Sequence, residues 1–268
     1  MQAELILLGT GNATVTNCYN TCLAIKKTEE YFLVDTGGGN GILSQLEKAA
    51  IPMERIHHIF ISHEHTDHIL GLVWLIRMIA TGMKNGKYEG NLHIYCHEEL
   101  KETILTIVKL TVQKKFYDMI GQRIFFCVVK DGEEKGIMGY VLKFFDIRST
   151  KAKQFGFTTR LENGKKFTFI GDENFKEHEA EYVEGADWFL HEAFCLYEQR
   201  EIFRPYEKHH ATVKEACEAG ERFGVKNLIL YHTEYKNLSR RKEWYTREGT
   251  RYYSGNLLIP DDLDVIQL

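Results

Sequence analysis

Proline is scarce, with 3 in 268 residues, and no Pro/Ser-rich or low-complexity tract interrupts the chain. No compositional break marks a domain boundary, so residues 1–268 are expected to form a single domain. CxxC pairs are also missing. The six cysteines, Cys18, Cys22, Cys96, Cys127, Cys195 and Cys217, are scattered, which excludes a spaced disulfide framework and a thiolate metal site and suits reduced thiols in the cytoplasm. No apolar run is long enough for a bilayer. The longest, Ile69 to Ile76, stops at Arg77, well short of the ~18 to 20 residues a span needs. Leu5 to Leu8 has no basic stretch before it and ends at Gly9-Thr10-Gly11, so it reads as a strand and not as an export signal. No membrane partner is expected, and the location expected is cytoplasmic. A large charge of one sign is absent too: 34 Lys+Arg against 38 Asp+Glu leave a net −4. That excludes coating nucleic acid by bulk charge, while leaving room for a local basic groove.

What is present is 44% apolar residues, enough for a chain approaching 300 residues to bury roughly 75% of its unfolded surface. Strand and helix patterns alternate throughout. Strands are expected at Glu4 to Leu8, Thr21 to Lys26, Tyr31 to Asp35, Ile56 to Ser62 and Leu92 to Tyr95. Helices are expected over Ile42 to Ala50, from about His68 to Ala80, and from Glu98. The second half repeats this logic, with strands at Arg123 to Val129, Gly139 to Ile147, Gly156 to Leu161, Lys166 to Ile170, Trp188 to His191 and Asn227 to Tyr231, and a helix over Val213 to Phe223. Strand clusters flanked by helices in both halves suggest an α/β protein with two sheets face to face and helices outside.

The most informative stretch is Ser62-His63-Glu64-His65-Thr66-Asp67-His68, where four candidate ligands fall within six residues after a buried strand. In extended backbone, residues i and i+2 point the same way, so His63 and His65 can grip one cation. Asp67 and His68 begin the next helix and can face a second. Imidazole and carboxylate are donors that Zn²⁺, Mn²⁺ and Fe accept. A plain helix N-terminus capped by Asp67 is outweighed by that density.

HxHxDH after an apolar strand, Gly9-Thr10-Gly11, and Asp35 followed by glycines resemble the metallo-β-lactamase fold superfamily. Phe169-Ile170-Gly171-Asp172 resembles its strand ending in a metal-bridging Asp, and Leu228-Ile229-Leu230-Tyr231-His232 its late strand ending in a ligand His. His191-Glu192-Ala193 and His210-Ala211-Thr212 resemble the paired motifs of ribonuclease Z, the tRNA 3′-processing endonucleases. The resemblance implies an αββα sandwich of two mixed sheets with outer helices. It implies His63, His65, Asp67, His68, Asp172 and His232 as ligands of one or two zinc ions, and a phosphodiester or RNA substrate. A homodimer is left open. Asp35, at a strand end before three glycines, is expected either to receive an N–H from a ligand imidazole or simply to form the turn.

Two departures stand out. The family's ligand His before Gly156 is absent, and Thr150 or Ser149 occupies its position. One ion is then expected to be weakly held, or completed by water or a residue such as His97. The gripping arm of ribonuclease Z has no room between Gly156 and Asp172, where fifteen residues allow two strands and a turn at Asn163-Gly164. Metal-activated hydroxide would attack the phosphorus. His210, oriented by Glu192, would protonate the leaving oxygen, so Glu192 and His210 join Asp67 as the expected catalytic residues. Acyl, thioester or lactone hydrolysis, and a non-catalytic ligand-binding module, are the alternatives. The basic, aromatic stretch Ser239 to Tyr253 suits single-stranded nucleic acid or, alternatively, packing against the body.

Overall fold

The computed structural model describes residues 3–268. Its contacts divide into two compact units. The first contains the N-terminal stretch through Gly9, Tyr19–Lys130 and Asp262–Leu268; the second contains Thr10–Cys18 and Asp131–Asp261.

The first unit runs β1 (Glu4–Gly9), β2 (Cys22–Lys27), β3 (Glu30–Val34), α1 (Gly41–Lys48), β4 (Ile56–Phe60), α2 (Thr66–Lys84), β5 (Leu92–Cys96), α3 (Glu98–Thr111), α4 (Lys114–Tyr117) and β6 (Ile124–Val128). The chain's final strand, Val265–Gln267, pairs with the outer edge of β1, so the sheet order is that strand, then β1 to β6. Pairing is antiparallel as far as β3 and parallel from β3 to β6. Parallel neighbours need a crossover, and α1, α2 and α3 supply it. Leu33, Ile59, Ile61 and Ile94 point to one face of the sheet, and Leu72, Leu75, Ile76 and Ile79 of α2 pack in the same cluster. Their spacing is that of one helical stripe.

The second unit repeats this pairing plan with β7 (Glu134–Ile137), β8 (Tyr140–Asp146), β9 (Phe155–Arg160), β10 (Lys166–Phe169), α5 (Ala180–Val183), β11 (Trp188–Glu192), α6 (Arg200–Phe203), α7 (Val213–Arg222), β12 (Asn227–Tyr231), α8 (Arg241–Gly249) and β13 (Asn256–Leu258). β7 to β10 are antiparallel and β10 to β13 parallel. In both units the candidate site residues lie just beyond the C-terminal ends of parallel strands, where the chain leaves the sheet and turns into a crossover. β9 and β10 are joined by a five-residue loop, 161–165, with Gly164 at φ +79°. It is the hairpin that the short spacing predicts.

Three details differ from the sequence reading. α2 begins at Thr66, two residues earlier than expected, so His65 is its N-cap in extended backbone. β7, β13 and the final strand were not anticipated. The segment 239–253 folds largely as α8, and its basic residues pair with Glu243 inside it and with Asp261 and Glu198 outside it. Arg241 is buried on Thr10 Oγ1, Thr233 Oγ1, the Pro260 carbonyl and Asp261, while Arg240 pairs with Glu243, Lys242 with Asp261 and Arg251 with Glu198. Arg241, Tyr245 and Tyr253 are buried, as the packing alternative expects, while Arg240, Lys242, Arg247 and Arg251 stay exposed.

Gly71 sets how closely α2 approaches the turn after β3. Its N–H donates to the Gly37 carbonyl at 3.0 Å, and a Cβ there would meet the Thr36 carbonyl oxygen at 1.9 Å. Alanine normally stabilises a helix interior by ~1 kcal/mol over glycine. Here Gly71→Ala is expected to destabilise by about 2 kcal/mol, because backbone must move; urea unfolding of the two proteins measures the sign.

Candidate metal centre

In the first unit the site is organised by Asp35, fully buried and held at φ +56° at the end of β3. Its N–H donates to the Phe60 carbonyl at 2.8 Å, tying it to β4. Oδ1 accepts from the Ser62 N–H at 2.8 Å, and Oδ2 accepts from Ser62 Oγ at 2.8 Å and faces His68 Nδ1 at 2.7 Å. A carboxylate can only accept here, so His68 carries a proton on Nδ1, and its Nε2 lies 3.3 Å from the Asp67 carboxylate. Burial disfavours a charged His68 ring, yet Asp67 and Asp35 outweigh it and hold its pKa well above the ordinary histidine value. A field that draws a proton to this place also draws a metal cation.

Ser62 orients a second imidazole: its Oγ lies 2.9 Å from His63 Nδ1. That turns His63 Nε2 toward His65 Nδ1, 2.9 Å away, with the rings nearly perpendicular. Two nitrogens bound to one tetrahedral cation at ~2.0 to 2.1 Å stand roughly 3.3 Å apart, close to this separation. Extended backbone at His65 brings the pair together, and the donor chemistry of the cluster fits a divalent ion.

In the second unit Asp172 follows β10, Glu192 ends β11, and His232 follows β12 at φ +56°. One donor atom each of Asp172, His210 and His232 lies within 4.8 Å of the others, a spacing that also fits a cation. His232 Nε2 is 3.5 Å from Asp172 Oδ2. Glu192 is fully buried; Oε1 accepts from the Ala211 N–H at 2.7 Å, and Oε2 lies 3.1 Å from His210 Nδ1. The Asp172 carbonyl is 3.0 Å from the same nitrogen, so both neighbours of Nδ1 are acceptors and the proton belongs there. Phe194 stacks on the His210 ring at 4.9 Å and 8°. Burial opposes the charged imidazolium, but Glu192 and then Asp172 prevail, raising the His210 pKa.

The remaining candidates lie elsewhere. Thr150 Oγ1 donates to Glu173 at 2.8 Å and meets exposed His209 at 2.8 Å, and Ser149 Oγ accepts from the N–H groups of Lys151 and Ala152. His97 is the N-cap of α3, accepting from the Leu100 N–H. His191 is buried as a structural link between the Phe175 N–H and the Glu192 carbonyl. Sequence reading gave no role to Ser62, Gln154 or Phe194, and took Lys151 more readily as a solvated surface lysine than as a stand-in for a lost ion; it is mostly buried against Asp172. Ser62 adjoins the motif and was within reach; Gln154 and Phe194 are recognisable only by where their partners sit. No helix among the described residues is long and apolar enough to cross a membrane.

A family profile described as "Anti-Pycsar protein Apyc1" matches residues 3–248. The chain is 30% identical to a ribonuclease Z of Thermococcus sibiricus, across 99% of this chain and 96% of that one. It is 26% identical to a ribonuclease Z of Phocaeicola vulgatus, across 85% and 86%. The chain belongs to the anti-Pycsar Apyc1 family, among the ribonuclease Z-like proteins of the metallo-β-lactamase fold. Solved structures agree on the fold. The metallo-β-lactamase fold protein YhfI from Bacillus subtilis superposes with a TM-score of 0.81 at 17% identity, covering 99% of both chains. The short form of human tRNase Z superposes at 0.75 and 21% identity, covering 98% of both. The fold class is therefore the αββα type expected, and this family member is a metal-dependent hydrolase of the phosphodiesterase type.

Asp35 is fully buried, so its effect runs through His68 and Ser62. Asp35→Asn keeps the shape but removes the charge and places an N–H donor among groups that need an acceptor. Metal affinity is expected to fall roughly 10- to 100-fold, read by competition with a chromophoric chelator.

Proposed function

We propose that this chain hydrolyses small nucleotide phosphodiesters, cyclic ones included, as a single catalytic domain spanning 1–268. The proposed ligands are His63, His65, Asp67, His68, Asp172 and His232, with zinc as the resident metal; manganese and iron accept the same donors. A divalent ion held by such groups supplies activated water near neutral pH and offsets charge on a phosphoryl oxygen.

The observation that carries this reading is the Glu192–His210 pair beside Asp172, with its carboxylate fully buried. A diester releases an alkoxide, which must be protonated; a thioester releases a thiolate, which makes a lesser demand on a dedicated acid. Glu192 and the Asp172 carbonyl hold the proton on His210 Nδ1, stacking on Phe194 fixes the ring plane, and Nε2 is left as the atom that delivers a proton. Asp67 adds negative charge beside His68 and favours the cation.

Substrate size follows from what the chain lacks between β9 and β10. The five-residue hairpin there cannot reach along a folded RNA. The match to the Thermococcus sibiricus protein spans 310 positions against the 268 residues of this chain, so that relative carries stretches absent here. The basic residues of α8 and its flanks are largely matched by Glu243, Asp261 and Glu198, which leaves little net charge for an RNA backbone. A compact diester needs no such reach.

His65→Ala is expected to abolish turnover of bis(p-nitrophenyl) phosphate. His210→Ala should lose about 10²- to 10⁴-fold on a cyclic nucleotide, whose leaving ribose oxygen needs a proton. It should lose far less on the nitrophenyl diester, whose leaving group departs as the anion. Equal losses on the two substrates would remove His210 from the acid role. Efficient cleavage of a pre-tRNA 3′ trailer with no turnover of cyclic nucleotides would reverse the substrate assignment.

The proposal includes a cytoplasmic location, supported by six cysteines without a disulfide. It also includes a homodimer, supported by the exposed Trp74, Met78 and Leu110 on α2 and α3. Light scattering at micromolar concentration should give twice the mass of one chain, and Trp74→Glu with Leu110→Glu should halve it.

A further inference from the structure

Two side chains from the segment that lacks the family's ligand histidine close on Asp172 instead. Gln154 Nε2 donates to Asp172 Oδ1 at 2.7 Å and Gln154 Oε1 accepts the Asp172 N–H at 2.8 Å. Lys151 Nζ donates to the Asp172 carbonyl at 3.1 Å and lies 3.5 Å from Oδ2. Its side chain is only 12% exposed, which is unusual for a lysine. Ser149 Oγ braces the turn that presents it, and Thr150, at the histidine's position, is turned away to Glu173 and His209.

A buried carboxylate needs a counter-charge. If Asp172 bridged two ions, both its oxygens would find cations; here one oxygen is taken by an amide and the other faces the Lys151 ammonium as well as the His232 imidazole. We propose that Lys151 is a built-in cation standing in for one of the two metal ions, so that each chain holds a single ion. The assignment rests on Asp172 being a metal ligand, as proposed above. An ammonium offers charge and three N–H donors. Lys151 therefore neutralises Asp172 and is placed to donate to a phosphoryl oxygen, but it cannot activate water as a divalent ion does. Its charge also repels a second cation a few ångströms away in a setting where solvent screens poorly.

Metal content after dialysis, measured by plasma mass spectrometry, and zinc affinity, measured by chelator competition, test the assignment. The proteins compared are the wild type, Lys151→Ala, Lys151→Arg and the double variant Thr150→His/Lys151→Ala, with folding followed by circular dichroism. Wild type and Lys151→Arg are expected to hold one zinc per chain. Lys151→Ala should bind its zinc about tenfold more tightly or better, once the repulsion is gone. The double variant, regaining an imidazole and losing the ammonium, should hold two. Two tightly held equivalents in the wild type, or an unchanged affinity in Lys151→Ala, overturn the stand-in role. No tightly held metal in the wild type overturns the ligand assignment itself. If the double variant does not fold, the contrast between Lys151→Ala and Lys151→Arg decides, because only the first removes the charge.

Discussion

A buried carboxylate that can only accept hydrogen bonds governs the first unit. Asp35 receives the Ser62 N–H and hydroxyl and the His68 imidazole, and so joins the end of β3 to the end of β4 and to the first turn of α2. The consequences propagate. Because Asp35 fixes the proton on His68 Nδ1, the opposite nitrogen faces Asp67; because it fixes Ser62, His63 is oriented as well. Holding an aspartate at positive φ costs of order 1 kcal/mol or more, and these contacts offset that cost. Helix α2 can come this close only because residue 71 has no side chain.

The second unit applies the same logic with different residues. Glu192 takes the place of the organising acceptor, bonding the Ala211 N–H and lying against His210. Aromatic stacking supplies the orientation that a second hydrogen bond supplies elsewhere. Asp172 is surrounded by Gln154, Lys151 and His232, a mixed set of amide, ammonium and imidazole. Strong local fields of this kind are unfavourable without compensation, which is why they are confined to strand ends that lead into crossovers and kept out of the apolar clusters beneath.

Where the sequence was readable, the information was local. Apolar runs with β-branched residues placed the central strands to within a residue or two, and glycines marked their ends. The edge strands β7 and β13 and the final strand escaped because each is three or four residues long and carries charged or polar side chains, so no alternation was visible. Helix α8 escaped for a related reason: its buried members, Arg241, Tyr245, Glu248 and Gly249, are not an apolar stripe. A fully buried arginine looks, in sequence, like a surface one.

The sequence by itself determined the HxHxDH cluster, the family likeness and the brevity of the β9–β10 connection, because each is a matter of neighbours along the chain or of simple length. Extended backbone aligns i and i+2 whatever surrounds it. Only the tertiary structure decided that Thr150 faces Glu173, that Lys151 and Gln154 face Asp172, and that Phe194 stacks on His210. Those pairings join positions 16 to 23 residues apart through turns and crossovers. Which hydroxyl, amide or ammonium meets a buried carboxylate depends on where strand ends bring the backbone, and the order of residue types does not encode that distance.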